Sequence, residues 1–531
     1  MRQQKVSRFP LFIAFITLIA ISLPYLVAFL SGGSEYQFSG FLINPLDGIT
    51  YIAKMVQGWQ GNWVYRMVYS VQPGAGAYIN LFYLALGHLA RVLALPLLGV
   101  YHGFRLIGAI LMLWALWRFY GLVFPQAERP RRTAFVLSAI GSGLGWLLLP
   151  FGAITSDFWV SEAFPFLSAY TNPHFPISLA LMLTILAVPE KMRWQTMIGR
   201  GLLAFLLSLI SPFALVVVGV ILAADAALYF IRKNNAAFPQ WNKNYLSYHS
   251  LILISGTPAL LYDVWLTRTD PVIAAWNAQN INPAPRVWDF LIAFAPALIF
   301  AVLGWKTILK PRRPIDFESL FAPLHLRVFA LTFLWAVLGI GLIYLPLGFQ
   351  RRFIIGLWIP WSAMAAWGVE QLAQSGRKPY RFWSRLLITI AIPTNLLVIV
   401  IGLFGVQTHD ERIYLTTDEV RALAWVEANT PPDALILASP EMGAFIPANT
   451  GRRVIYGHPF ETINAEVEKN AVEQFFSGNF DDTTAEDFLI SKGVSVILFG
   501  PREQSLGPLP SVNSVSEMQQ IGDVLILGVN R

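Results

Sequence analysis

Between residues 9 and 405 the chain repeats one pattern: apolar runs of about 20 residues, the length that spans a bilayer as a helix. They fall near 9–31, 76–98, 104–124, 133–152, 174–189, 199–231, 248–267, 287–305, 325–346, 352–371 and 383–405. A helix satisfies its backbone hydrogen bonds internally, so such a chain folds as a polytopic helical membrane protein. Composition agrees, since only 13% of residues are charged, against about 25% in soluble domains. The long 199–231 run is interrupted by Ser211 and Pro212. Proline removes a helix donor and clashes with the preceding turn, so two short spans are expected there. The N-terminal MRQQKVSRFP precedes a run too long for a signal peptide and without a small-residue cleavage site, and is read as leading into an uncleaved first span. The chain has no cysteine, which excludes disulfides, thiolate metal sites and a cysteine nucleophile.

Charge divides the chain. Residues 1–407 carry 30 Lys and Arg against 13 Asp and Glu, and residues 408–531 carry 8 against 18. Two domains are expected: a basic membrane region, 1–407, and an acidic soluble tail, 408–531. In the tail, apolar residues at Val420, Leu423, Ala424 and Val426 mark a helix. Short strands are expected at 434–439, 454–457, 494–499 and 524–529, with helices at 464–476 and 484–492. Alternating helices and strands over this length make one small α/β domain. The basic residues lie in separate short loops, so no nucleic-acid partner is expected.

Cytoplasmic loops collect Lys and Arg. Basic loops occur at the N-terminus (Arg2, Lys5, Arg8), 118–132, 191–200, 232–243, 306–313 and 377–385. All six share one side if 76–98 dips into the outer leaflet without crossing. About eleven crossings then place the N-terminus in the cytoplasm and the tail outside. Outer loops are 32–75, 153–173, 268–286 and 347–351.

The first outer loop holds the stretch 44–63, NPLDGITYIAKMVQGWQGNW. Tyr51, Ile52, Met55 and Trp59 recur at near-helical spacing, with Lys54, Gln57 and Gln60 between them, which predicts an amphipathic helix on the membrane surface. At its start stands Asp47, the only acid between Glu35 and Glu128. Two readings stand: an N-cap, or a carboxylate free to act as a base.

A first-loop acid, an arginine opening a following span (Arg105 in YHGFRLIGAI), a second acidic outer loop and an outer α/β tail together resemble the GT-C superfamily of membrane glycosyltransferases. The nearest likeness is to bacterial members related to glycosyltransferase family 39 and the protein O-mannosyltransferases. The tail, YLTTDEVRALAWVEANTPPDALILASPEMGAFIPANTGRRVIYGHPFET, resembles the soluble tails of bacterial GT-C-like membrane proteins. The resemblance implies transfer of a sugar from a polyprenyl-phosphate carrier to an acceptor hydroxyl outside a bacterial inner membrane. It places Asp47 as the catalytic acid of the first loop and Arg105 among the donor's phosphate ligands. Asp157 and Glu162 fall where metal-using members carry second-loop acids, although SDFWVSE is not D-x-D and QPGAGAYINLFY lacks a Pro-Pro-x-x-Tyr start. A divalent metal is therefore open and not required.

The remaining candidates follow from residue chemistry. Arg351 and Arg352 lie in a short outer loop, where a guanidinium fork suits a phosphate or anchors at the interface. Asp263 is an ionisable group in a span, a functional candidate or half of a buried pair. Asp157, Glu162 and His174 offer metal ligands or ordinary loop polarity. His458 and Glu461, in GHPFET, belong either to a turn with Thr462 as helix N-cap or to a substrate-facing part of the tail. The expected function is an inverting polyprenyl-phosphate-sugar glycosyltransferase, acceptor unknown. Its rivals are a transporter or flippase of lipid-linked sugars and a non-catalytic membrane scaffold.

Overall fold

The computed structural model describes residues 8–188, 193–232, 243–308 and 325–530. Arg2, Lys5, Lys191 and most of the basic loops 232–243 and 306–313 lie outside them. Among the described residues five helices are long and apolar enough to cross a membrane: Phe9–Ser31, Leu97–Val123, Leu246–Thr269, Gln350–Gln374 and Tyr380–Gln407. Val287–Ala293 and Ala295–Thr307, bent by 80° at their junction, make a sixth if they form one broken span. The chain is an integral membrane protein. Five further apolar helices are shorter, among them Leu81–Leu93. The 199–231 run is indeed two helices, Trp194–Ile210 and Pro212–Arg232, parted at Ser211.

The chain forms two compact units. The first comprises Met1–Pro24, Gly103–Leu261 and Asn282–Gly402. Its helices meet through small residues, as membrane helices do. Gly304 of Ala295–Ile308 lies on Gly368 of Trp358–Gln374 so closely that a Cβ on either would strike the other helix's backbone.

The second unit comprises Tyr25–His102, Tyr262–Ile281 and Leu403–Arg531. The tail therefore does not stand by itself as 408–531. Strand β1 (Tyr36–Phe38) pairs antiparallel with β2 (Tyr414–Thr416). The remaining strands are β3 (Leu435–Leu437), β4 (Arg453–Val454), β5 (Val496–Phe499), β6 (Val515–Ile521) and β7 (Val524–Val529). They form one mixed sheet in the order β4-β3-β5-β7-β6, parallel from β4 to β5 and antiparallel beyond. Its core packs Leu437, Val472, Phe475, Phe476, Leu489 and Ile497. Burying each such side chain stabilises by about 1.5–3 kcal/mol.

The first-loop helix runs Pro45–Trp59. It is not an amphipathic helix with one face in water. Ile49, Ile52 and Met55 are buried, and so are Lys54 and Gln57 of the polar face. The neighbouring helix Leu81–Leu93 covers one side: a Cβ on Gly58 would strike the Leu84 carbonyl, and one on Gly87 the Met55 carbonyl. That helix has 13 residues, about 20 Å of rise against a hydrocarbon core of about 30 Å. It ends at Ala94, whose φ of 50° is left-handed.

Candidate active site

The polar face of Pro45–Trp59 is met by the turn GHPFET of the tail, within the same unit. Asp47 sits in the first helical turn, behind Pro45 and a left-handed Asn44 at the N-cap (φ 48°). Asp47 is thus not the N-cap. The cap position falls to Asn44, because Pro45 suits the first helical residue. A carboxylate in the first turn is still favoured by the helix dipole. The Asp47 side chain is 49% exposed, and its Oδ1 lies 3.3 Å from Nε2 of His458, which is 4% exposed.

His458 is held from behind. Its Nδ1 accepts backbone N–H groups from Phe460 (3.1 Å) and Glu461 (3.2 Å). With both donors aimed at Nδ1, the ring proton sits on Nε2 and faces Asp47. The backbone N–H groups of Gly457 and His458 point to Thr462 Oγ1, each at 3.4 Å. Thr462 is therefore spent inside the turn and does not cap the helix Ala465–Phe476, whose N-cap is Asn464.

Two turns along the helix from Asp47, Lys54 Nζ donates to Glu461 Oε1 at 2.7 Å, and Tyr65 OH donates to Oε2 at 3.0 Å. Lys54 Nζ also lies 5.1 Å from the Tyr51 ring centre and 5.7 Å from that of Tyr65. Burial first, and the Glu461 charge second, hold the Tyr65 hydroxyl well above its usual pKa, so it remains a donor. Gln57 is clamped to the Arg66 backbone through both ends of its amide. The turn is braced further by Trp276 Nε1 to the Phe460 carbonyl (2.8 Å) and Gln279 to the Thr462 carbonyl (2.5 Å). Asp263, on Lys243–Thr269, belongs to this unit and is partly buried.

The other candidates lie in the first unit. Arg105 is 2% exposed and gives Nη1 to the carbonyls of Ile21 and Ala169, each at 3.0 Å. It ties backbone segments together. Arg351 donates Nη2 to Asn282 Oδ1 at 2.7 Å and lies 4.8 Å over Trp159, while its Nε is buried with no hydrogen-bond partner. Arg352 is exposed and lies 5.2 Å over Phe213.

Asp157 is fully buried. Thr155 Oγ1 donates to its Oδ1 (2.5 Å) and the Gly145 N–H to its Oδ2 (3.0 Å). Burial holds its pKa above the usual carboxylate value, and these donors offset only part of that rise. It pins loops and is not poised as a metal ligand. Glu162 accepts the Gly356 N–H on its backbone carbonyl, and His174 starts the helix His174–Leu186 with its ring against Phe175. Among the described residues no three His, Asp or Glu side chains converge to hold a metal.

No family model matches the sequence, and no curated protein does. Solved structures match. The apo oligosaccharyltransferase of Archaeoglobus fulgidus aligns with 93% of this chain and 70% of its own, with TM-score 0.57 and 13% identity. The same archaeal enzyme, AglB, in complex with an inhibitory peptide and a dolichol-phosphate aligns with 91% of this chain and 69% of its own, TM-score 0.51, 13% identity. The arabinofuranosyltransferase AftD from Mycobacteria aligns with 99% of this chain and 40% of its own, TM-score 0.53, 13% identity. The chain shares their fold. These neighbours are an oligosaccharyltransferase and an arabinofuranosyltransferase, and at 13% identity the likeness is one of fold. Nothing among them singles out family 39.

Proposed function

We propose that this chain is an inverting glycosyltransferase that moves a sugar from a polyprenyl-phosphate donor to an acceptor hydroxyl, at the outer face of a bacterial inner membrane. The observation that carries the reading is Asp47: a half-exposed carboxylate in a buried setting, oriented by the Nε2–H of His458. The fold likeness to an oligosaccharyltransferase seen with a dolichol-phosphate and to an arabinofuranosyltransferase supports it. A hydroxyl is a poor nucleophile at neutral pH. Asp47 takes its proton as the oxygen bonds to the anomeric carbon, and the carbon–oxygen bond to the phosphate breaks with its electron pair on the leaving phosphate. That leaving group is already anionic, so cations suffice to stabilise it. Within the first unit, Arg351 and Arg352 are proposed as phosphate-binding cations, Arg351 offering an unpartnered N–H. Arg105 is assigned only an indirect part, since its Nη1 is held by the carbonyls of Ile21 and Ala169. In this reading about eleven crossings leave the N-terminus cytoplasmic and the tail outside.

The deciding experiment is Asp47→Asn, which keeps size and hydrogen-bonding capacity. Turnover of a polyprenyl-phosphate sugar in nanodiscs is expected to fall roughly 10²–10⁴-fold, the scale of general-base loss, with donor binding intact. Wild-type turnover by Asp47→Asn removes the base from the mechanism.

Transport of a lipid-linked sugar has one observation in its favour. Asp225 and His249 form a buried pair, 3.1 Å apart, between helices Pro212–Arg232 and Lys243–Thr269. Ionisable groups inside spans often mark transport paths. Flipping of a labelled lipid-linked sugar in vesicles, lost in Asp225→Asn and kept in Asp47→Asn, would favour that reading.

A further inference from the structure

In the first unit the helices Leu97–Val123, His174–Leu186 and Trp194–Ile210 border a cavity of about 480 Å³. Among the described residues its lining carries three arginines, Arg118, Arg193 and Arg200, and no acid. Arg118 lies 4.8 Å over the Trp114 ring. Arg200 is partly buried, and its Nη2 makes a long bond to the Ala187 carbonyl at 3.4 Å. Its Nη1 is buried and has no hydrogen-bond partner. Three cations around one hollow repel each other, and a buried charged donor without an acceptor is costly. An anion in the hollow relieves both.

The rest of the lining sets the kind of anion. Phe119 and Leu183 form an apolar wall, and Trp114 and Leu122 continue it onto the exposed helix surface, at 52% and 37% exposure. A soluble phosphate would use the arginines and leave this wall bare. A lipid uses both: its phosphate takes the guanidinium forks, which suit it bidentately, and its chains run along Trp114 and Leu122. We propose that this cavity binds the phosphate headgroup of an anionic glycerophospholipid. The proposal is independent of the catalytic reading of Asp47.

The test uses the full chain, delipidated in detergent. Thermal unfolding is followed while phosphatidylglycerol, phosphatidylcholine, polyprenyl phosphate or inorganic phosphate is added, and native mass spectrometry counts retained lipid. A saturable rise in midpoint with phosphatidylglycerol alone is expected, with one lipid retained. Arg118→Gln combined with Arg193→Gln, both exposed positions, should abolish retention and the shift, and so should Arg200→Gln. Arg385→Gln, at an exposed position that does not line the cavity, should keep both. Should Arg200→Gln fail to fold, the exposed pair still decides the question. Unchanged retention in the paired variant overturns the proposal. An equal response to inorganic phosphate reassigns the site to a soluble anion, and a response to polyprenyl phosphate alone reassigns it to the donor lipid; either overturns it.

Discussion

His458 shows how a side chain far along the chain can set the chemistry of an early one. Its Nδ1 is occupied by two backbone N–H groups, so it has one proton to give, and that proton faces Asp47. In the proposed mechanism it acts on the reaction only through Asp47. His458→Ala is expected to lower kcat by up to about 10²-fold, the scale of a displaced reacting group, with KM near normal. His458→Gln, which restores an N–H donor, should recover part of the loss; equal kcat in all three proteins would make the contact purely structural. The adjoining Lys54–Glu461 pair is structural by geometry, buried and closed by Tyr65. Lys54→Met leaves Glu461 buried and uncompensated, and is expected to cost about 3–5 kcal/mol. Lys54→Met with Glu461→Gln should cost less than Lys54→Met alone, measured as unfolding midpoints in detergent. Lone Asp47 was legible in the sequence by its isolation. His458 and Glu461 were legible only as a polar turn, because their partners lie some four hundred positions away and no local spacing records that.

At the scale of elements, helical spacing in 44–63 identified a helix correctly and its environment wrongly. Lys54 and Gln57 read as a solvated face, yet both are buried against polar partners. Periodicity reports which residues share a face; it does not report whether a later segment will cover that face. The break at Ser211 was legible because proline acts locally. The helix Pro440–Thr450 and strand β6 escaped: the first carries Pro447 inside, and the second is mostly exposed and alternates little. Helix contact through Gly58 and Gly87 gives a sharp expectation. Gly87→Val must push the two helices apart and should lower the unfolding midpoint clearly. Gly103→Ala, where an added Cβ meets nothing, should be neutral or stabilising by up to about 1 kcal/mol from helix propensity. Equal effects at both positions would show that the close crossing does not bear on stability.

At the scale of the whole molecule, the apolar runs made a membrane protein legible, and the charge split pointed to a distinct tail. The runs do not fix how many segments cross. Several contain helices of 13 to 19 residues, and length alone leaves these between spanning and re-entrant. The orientation can be read directly because the chain has no cysteine. Asn479→Cys and Ala127→Cys introduce single thiols at exposed positions. In sealed cells an impermeant reagent is expected to label Asn479→Cys and to spare Ala127→Cys until the membrane is opened; the opposite pattern inverts the proposed topology.

The pairing of β1 with β2 also has a consequence for biogenesis. Ser31, ahead of β1, is bonded to Tyr414 of β2, 383 positions away. At about 5–20 residues per second, a ribosome needs roughly 20–80 s to cover that distance. For most of that interval the first loop has left the ribosome, but β1 has no β2 and Lys54 has no Glu461. The loop's helix must wait half-dressed beside the insertion machinery, open to proteases and holding factors. A nascent chain that stalls before the tail is made thus carries an exposed marker of its own incompleteness, which the finished protein hides.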